Sequence, residues 1–257
     1  MGSDEVRFLP YAERNFQFMT SSKIKEFERC QFCYQKKYVD LLPDPTQTDT
    51  QKDYFVIGQA LDDLLTHPEE FDSKYEIVSR RMGKSDRIEL SNGMWETIVK
   101  MRKEFNSNPL FTGNPEKKIM FHKFGQFVIK IEMDDYKASE LKIKDVKSSA
   151  SIKTFEPDMY KIQAALYHWI VEENTMQRFA VEYEVVDKYA YFSRSQLFIY
   201  EQSTLLNKRG ELLALLEKIK EAHETGLFFP AARWDVLLEC PYYGVDGHGR
   251  PTKPIYC

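Results

Sequence analysis

The stretch IEMDDYKASELKIKDVKSS, residues 131–149, predicts two β-strands joined by a short turn. Ile, Val and Tyr recur among polar residues, a composition that is typical of strands with one covered face. We place a two-residue loop at residues 138–139. Asp134 then lies opposite Ile143, and a one-residue change of loop length would move Asp134 to the other face.

In this register four charged side chains share one face of the hairpin: Glu132, Asp134, Asp145 and Lys147. Glu132 lies opposite Asp145, and Asp134 is a diagonal neighbour of Asp145, about 7–8 Å away. A solvated sheet face with cross-strand salt bridges would have this pattern. A site for Mg²⁺ or Mn²⁺ would have it too, because these ions prefer oxygen ligands, and a nearby lysine can orient or deprotonate a water for attack on a phosphodiester.

The rest of the sequence places this hairpin in an α/β domain. Helical periodicity and breaker residues predict helices at residues 20–42, 54–66, 94–105, 156–173 and 203–225. Strand patterns fall at residues 74–80, 117–123, 126–136, 141–147, 178–186 and 196–200. The last helix ends at Gly226, and the helix at 156–173 has an apolar stripe of Met159, Ile162, Leu166, Trp169 and Ile170. We therefore expect one domain over residues 1–257, with a central mixed sheet between helices and largely irregular ends at 1–19 and 228–257.

The composition is that of a globular protein with a real core. Of the 257 residues 42% are hydrophobic and 14% aromatic, and the net charge is −4. A negative net charge does not indicate a nucleic-acid-binding protein, but clustered metal-binding acids would cancel a basic surface in the sum. No apolar run approaches the roughly 20 residues that span a bilayer, and no signal-peptide pattern is present. We expect a cytoplasmic protein without a membrane partner.

The hairpin resembles the core of the PD-(D/E)XK nucleases, which have an Asp on one strand and a D-x-K or E-x-K on the next. Asp134 matches the first acid, and Asp145 and Lys147 match the D-x-K. Four more stretches are similar to the RecB-like and phage-type exonuclease branch, which includes exonuclease VIII. They are SKIKEFERC (22–30), IGQALDDLLTHPEEFDSKYEIV (57–78), WETIVKMRKEFNSNPLF (95–111) and YKIQAALYHW (160–169). Together they cover most of residues 20–175.

The resemblance implies a restriction-endonuclease-like core and a metal-dependent DNA exonuclease of phage-type recombination or DNA processing. Asp134, Asp145 and the backbone carbonyl of Val146 would bind Mg²⁺ or Mn²⁺, and Lys147 would assist the attacking water. Gln163 would position that lysine or the scissile phosphate. DNA is the implied partner, and a single-strand annealing protein and a homo-oligomer are further partners that the resemblance allows, since exonucleases of this branch often form rings.

Several positions keep two interpretations. Tyr167, which would line the site, could instead be ordinary helix packing, and Gln163 a solvated polar residue. Asp62 stands where the family has His, so it is either a metal ligand or a surface residue of its helix. Glu116 and Glu132 are additional acids that could lie near the metal. The change at Asp62 motivates an alternative function, a catalytically weakened nuclease fold that only binds DNA or a recombination partner.

The four cysteines also leave two interpretations. Cys30 and Cys33 lie at i, i+3 in the first predicted helix, and Cys240 and Cys257 lie near the end of the chain. Some relatives hold an iron–sulfur cluster with one early and three late cysteines, and four Cys ligands could hold a cluster or zinc. We favour the alternative, in which the early pair are buried small hydrophobes and the late pair are incidental.

Overall fold

The computed structural model describes residues 18–42, 49–66, 68–80, 85–107, 117–149, 151–187, 195–229, 243–245 and 251–254. The helices are α1 (Ser21–Arg29), α2 (Gln31–Tyr34), α3 (Asp49–Thr66), α4 (Phe71–Lys74), α5 (Asn92–Ser107), α6 (Lys161–Thr175) and α7 (Gln202–Thr225). The strands are β1 (Tyr75–Val78), β2 (Ile88–Ser91), β3 (Lys118–Phe124), β4 (Phe127–Met133), β5 (Asp135–Lys137), β6 (Lys142–Ser149), β7 (Ala180–Asp187), β8 (Ser195–Ile199), β9 (Tyr243–Val245) and β10 (Pro251–Pro254). Short helical turns lie at Gln35–Val39, Pro68–Glu70, Ala138–Glu140, Ile152–Thr154 and Pro157–Tyr160.

The central sheet has four strands in the order β5-β6-β7-β8. β6 and β7 are parallel, and the two outer pairs are antiparallel. A parallel pair needs a crossover between its strands, and α6 provides it. The prediction of an α/β protein with a mixed sheet between helices is therefore confirmed.

Two groups of apolar side chains cover the sheet. The larger packs α1, α6 and α7 against β4 and one face of β6 and β7, through residues such as Ile143 and Ile170. The smaller packs α3, α4 and α5 with β1 and β2, and it reaches the other face of the sheet at Val146 and Val186. Full burial of each such side chain contributes roughly 1.5–3 kcal/mol, so the two groups fix both faces of β6.

The loop between β5 and β6 differs from the predicted one. The observed pairs are Asp135 with Lys144, Tyr136 with Ile143 and Lys137 with Lys142, so four residues separate the strands instead of two. A 3₁₀ turn is followed by Leu141 at φ 52°, and this left-handed residue turns the chain into β6. The register is wrong by two residues, which preserves the side-chain alternation.

Asp134 interrupts the strand that the sequence predicts over residues 126–136. In β4 the core side chains are Ile129, Ile131 and Met133, whereas in β5 the core side chain is Tyr136. The alternation of faces therefore changes at Asp134, which forms a bend between the two strands. As a consequence Glu132 does not share the face of Asp145, and this part of the predicted four-residue face is wrong.

The first predicted helix is also interrupted. α1 ends at Arg29, and Cys30 has an extended backbone (φ −159°) that caps the start of α2. The chain then continues through a π-turn at Gln35–Val39. Cys30 Sγ accepts a hydrogen bond from the Cys33 backbone N–H at 3.3 Å, so the two residues belong to a cap rather than to one helix face.

Other predicted elements need smaller corrections. α6 begins at Lys161 after a 3₁₀ turn, and Met159 is 64% exposed rather than part of the apolar stripe. β2 was not predicted. Within the tail that the sequence predicts to be largely irregular, the short strands β9 and β10 pair with each other. The C-terminal end of α7 is confirmed, because Gly226 takes the left-handed conformation (φ 70°) there.

Candidate active site

Asp145 and Lys147 lie on the face of β6 that is covered by α6. Their side chains form an ion pair, and Asp145 is only 2% exposed. Removing a carboxylate from water is costly unless it gains partners, so a charge at this position has to be paired. The interpretation of these residues as part of a solvated sheet face is therefore wrong for Asp145.

Asp134 reaches the same place from the bend between β4 and β5. Its Oδ2 accepts a hydrogen bond of 2.7 Å from the backbone N–H of Val146, the residue between Asp145 and Lys147. Continuing the β5–β6 register by one position puts Asp134 level with Asp145. Burial, followed by the charges of Asp145 and Asp62, raises the pKa of Asp134 well above its usual value.

Two side chains of α6 hold Asp145 from the other side. Tyr167 Oη lies 2.9 Å from Asp145 Oδ1 and 2.8 Å from the carbonyl oxygen of Glu132, and its single proton serves one of these acceptors at a time. Gln163 Nε2 donates to Tyr167 Oη at 2.6 Å and to Asp145 Oδ1 at 3.4 Å. Residues four apart share a helix face, which is why both side chains reach the same strand. Neither Tyr167 as ordinary packing nor Gln163 as a solvated residue describes these contacts.

A second group of charges surrounds Lys117, just before β3. Its Nζ lies 2.6 Å from Asp62 Oδ2 and 2.9 Å from Glu132 Oε1, and Lys130 Nζ lies 2.9 Å from Glu132 Oε2. Burial alone would raise the pKa of Glu132, but the two lysines outweigh it and lower that pKa to about 2. Burial would lower the pKa of Lys117, whereas Asp62, Glu132 and then Asp134 raise it. Asp62 is thus oriented towards the acids of the hairpin rather than being only a surface residue.

Lys117 and Lys25 lie close to these acids. The sequence alone offers Lys25 only as one of several basic residues on a helix face that could contact phosphate but is more commonly solvated, and it does not single out Lys117. Lys25, on α1, has its Nζ 4.5 Å from the centre of the Tyr160 ring. Lys147 Nζ lies 5.4 Å from the same ring centre. In the sequence Lys25 was one of several lysines on a helix, and Lys117 one of two consecutive lysines. Nothing in the local pattern separates either from a solvated charge.

The chemistry of the donors fits a hard divalent cation. Asp134 and Asp145 offer carboxylate oxygens beside the Val146 backbone, and oxygen ligands of this kind suit Mg²⁺ or Mn²⁺. Asp145 Oδ2 is buried, and among the described residues it meets no hydrogen-bond donor of suitable geometry besides its ion pair with Lys147. A cation there would also relieve the repulsion between Asp134 and Asp145. Within the described ranges, no three Asp, Glu, His or Cys side chains form a ready-made metal centre.

The structure describes only some of the remaining candidate residues. Glu116 lies outside the described residues, as do Cys240 and Cys257. Cys30 and Cys33 are both buried, as expected, and Cys30 is a free thiol. Cys33 is disulfide-bonded, which the interpretation of the early pair as two small hydrophobes did not anticipate. No helix in the described part of the chain is long and apolar enough to cross a bilayer.

Comparison with known proteins agrees with this fold. The family described as "PDDEXK-like domain of unknown function (DUF3799)" matches residues 20–231. A crystal structure from Eubacterium rectale, described as a "putative exonuclease", is similar at a TM-score of 0.68 and 17% identity, over 90% of this chain and 88% of that one. The structure of SSO0001 is similar at a TM-score of only 0.34 and 13% identity, over 77% of this chain and 76% of that one. No curated protein matches the sequence.

The fold and the acid–lysine hairpin thus define a protein of the PD-(D/E)XK nuclease superfamily. The chain belongs to the DUF3799 family of PDDEXK-like domains, whose match covers most of its length.

Proposed function

We propose that this protein is a divalent-metal-dependent deoxyribonuclease that digests DNA from its ends. The observation that carries the proposal is the convergence of Asp134, Asp145 and Lys147 at one point of β6. Two carboxylates and a lysine are the groups needed to hold a hard cation and to assist water in attacking a phosphodiester. An end-directed activity is favoured by the resemblance to phage-type exonucleases and by the description of the Eubacterium rectale protein.

In this mechanism the residues of the chain have separate tasks. Asp134, Asp145 and the Val146 carbonyl would hold Mg²⁺ or Mn²⁺, which when bound neutralises charge that develops on the phosphate. The Lys147 ammonium donates hydrogen bonds that orient the attacking water and stabilise the transition state. The water releases a proton to solvent and its oxygen bonds to phosphorus as the ester bond to the leaving oxygen breaks, and that oxygen takes up a proton from solvent. Tyr167, on α6, keeps the Asp145 carboxylate in position.

Gln163 and Asp62 extend this assignment. Gln163 bonds both Tyr167 and Asp145, so it fixes the ligand carboxylate and orients the site from α6. Asp62 would complete the metal shell when its ion pair with Lys117 opens. Work in phage-type recombination beside an annealing protein is the setting that the resemblance suggests for such an enzyme.

The test uses the substitutions Lys147→Ala and Asp145→Asn with end-labelled linear DNA and a covalently closed circle. We expect Mg²⁺-dependent digestion of the linear DNA alone, and a loss of about 10²–10⁴-fold in either variant. Lys142→Ala is the matched control, because Lys142 lies at the other end of β6 in an exposed pair with Glu140. Full activity of Lys147→Ala would refute the assignment of the site, and nicking of the circle would refute the restriction to DNA ends.

One observation favours a second function, a nuclease fold that binds DNA without cleaving it. The Lys117 ammonium already neutralises Asp62 and Glu132, two acids that would otherwise attract a cation. Calorimetric titration with Mg²⁺ and Mn²⁺ separates the two functions. If the protein is the proposed enzyme, the wild type binds these ions and the Asp145→Asn variant does not. A protein that only binds DNA need not bind them.

A further inference from the structure

Lys25 brings a second ammonium group to the edge of the acid–lysine site. It lies on α1, far from β6 in the sequence, and it shares the Tyr160 ring with Lys147 at the distances given above. The charges of Lys147 and Asp145 both act on its pKa, in opposite directions, so both groups lie within electrostatic reach. α1 therefore adds a cation within electrostatic reach of the residues proposed to act on the phosphodiester.

Lys25 differs from Lys117 and Lys147 in its ion pairing. Lys147 is paired with Asp145, and Lys117 with Asp62. No carboxylate in the described part of the chain forms an ion pair with Lys25. Burial, and then the charge of Lys147, lower the pKa of Lys25 to about 8. The charges of Asp145 and Glu28 raise the pKa of Lys25, but they offset burial and Lys147 only in part. A bound anion would stabilise this half-buried cation further.

Packing on Tyr160 offers a simpler explanation for the position of Lys25. A cation over an aromatic ring gains roughly 0.5–1 kcal/mol at an exposed site. This gain alone would not favour a place beside Lys147, since repulsion between the two ammonium groups opposes it. The two explanations also differ in what they predict, because packing affects the stability of the fold and leaves the affinity for a ligand unchanged.

We propose that Lys25 binds a backbone phosphate of the DNA strand, next to the phosphodiester that Lys147 and Asp145 address. The inference rests on the proposed function, because that function puts a phosphodiester at Lys147. The ligand chemistry is a phosphate monoanion within a polynucleotide. A lysine meets such a group as a point charge, so arginine can replace it here.

The experiment measures binding of a short fluorescein-labelled duplex by anisotropy in Ca²⁺, between about 50 and 200 mM NaCl. Gels confirm that the DNA stays intact. We expect Lys25→Met to weaken binding about tenfold and to reduce the slope of log K against log salt by about one, as the loss of one phosphate contact does. Lys25→Arg should retain both values. Lys142→Met is the control, about 16 Å from Lys147 along β6 at about 3.3 Å per residue.

Two outcomes overturn the inference. One is a Lys25→Met protein that binds DNA with unchanged affinity and salt slope. The other is a Lys25→Met protein that binds DNA like the wild type and differs from it only in how strongly inorganic phosphate competes with the DNA. That result would mean that Lys25 binds the free phosphate ion and not the DNA backbone. Unfolding in urea accompanies each variant, so that a loss of binding through misfolding is recognised. If the wild type binds DNA in a Lys25-dependent way but digests none in Mg²⁺, the proposed function fails and the phosphate contact stands.

Discussion

Substitution of Tyr167 by Phe tests the contact that fixes Asp145. The substitution removes one hydroxyl and leaves the aromatic ring, so packing in the core is retained. The hydroxyl accepts a hydrogen bond from Gln163 at 2.6 Å. It donates its proton to either Asp145 Oδ1, at 2.9 Å, or the Glu132 carbonyl oxygen, at 2.8 Å. Without it a buried carboxylate or carbonyl oxygen lacks its donor.

The size of the effect follows from these contacts. A hydrogen bond to a charged group is worth about 1.5–3 kcal/mol, and an unsatisfied buried acceptor costs a similar amount. Gln163 already lies 3.4 Å from Asp145 Oδ1, so it can partly replace the lost donor. We expect Tyr167→Phe to lower the free energy of unfolding by about 2 kcal/mol. For a chain of this size that corresponds to a fall in Tm of about 4–8 °C.

The same variant should bind Mg²⁺ or Mn²⁺ about 10–100-fold more weakly, as is usual when a residue that orients a ligand is lost. Urea unfolding and calorimetric titration measure the two effects. Tyr183→Phe is the control. Tyr183 is also fully buried, but among the described residues its hydroxyl makes only a long hydrogen bond of 3.4 Å to the Tyr160 carbonyl. Equal effects of the two substitutions on stability and metal affinity would refute a specific role of Tyr167.

Two further predictions concern charges elsewhere in the fold. Lys117→Met leaves Asp62 and Glu132 without their shared cation. Calorimetry should therefore show about tenfold tighter Mg²⁺ binding, and urea unfolding should show a decrease of about 1–2 kcal/mol in the free energy of unfolding. Unchanged metal affinity would count against an acid cluster around Lys117. His168 has a lowered pKa because it is buried. The unfolded chain therefore takes up the proton first, and the stability due to His168 is present above about pH 6.5 and is lost as the pH falls through the lower folded-state pKa. Urea unfolding at pH 7.5 and 5.5 should show this loss in the wild type, and a His168→Gln variant with the same pH dependence would contradict the explanation.

The hairpin shows how a partly wrong prediction can still place the right residues. The predicted loop was two residues too short, yet an even error keeps every side chain of β6 on its predicted face. Asp145 and Lys147 therefore face α6 in either register. Glu132 was misplaced because a bend at Asp134 changes the alternation of side chains between the two faces. An Asp at that position does not show whether the strand bends there or continues.

Lys117 and Lys25 illustrate the opposite case. Lys117 meets Asp62 from 55 positions away, and Lys25 meets the Tyr160 ring from another helix. In the sequence each is one basic residue among the 36 of the chain, and most such residues are solvated. Only long-range packing determines which of them lose their water and become part of a site.

The interruption at Cys30 has a similar cause. The residues around it have good helical periodicity, and local propensity favours one helix through Cys33. The structure breaks the helix there and compensates by a cap in which the Cys33 N–H donates to Cys30 Sγ. Local preferences amount to fractions of a kcal/mol per residue, so the burial of several aromatic side chains overrides them.

The sequence by itself determined the alternation of strands and helices, the acid–lysine pattern of β6 and the spacing of Gln163 and Tyr167. These features depend on periods of two and 3.6 residues, which are local properties of the backbone. The tertiary structure alone decided that Asp145 is buried against α6, that Asp134 bonds the Val146 N–H and that Lys117 and Lys25 approach the acids. Those facts depend on how the elements pack, because desolvation and pairing of charges are set by neighbours that are distant in the chain.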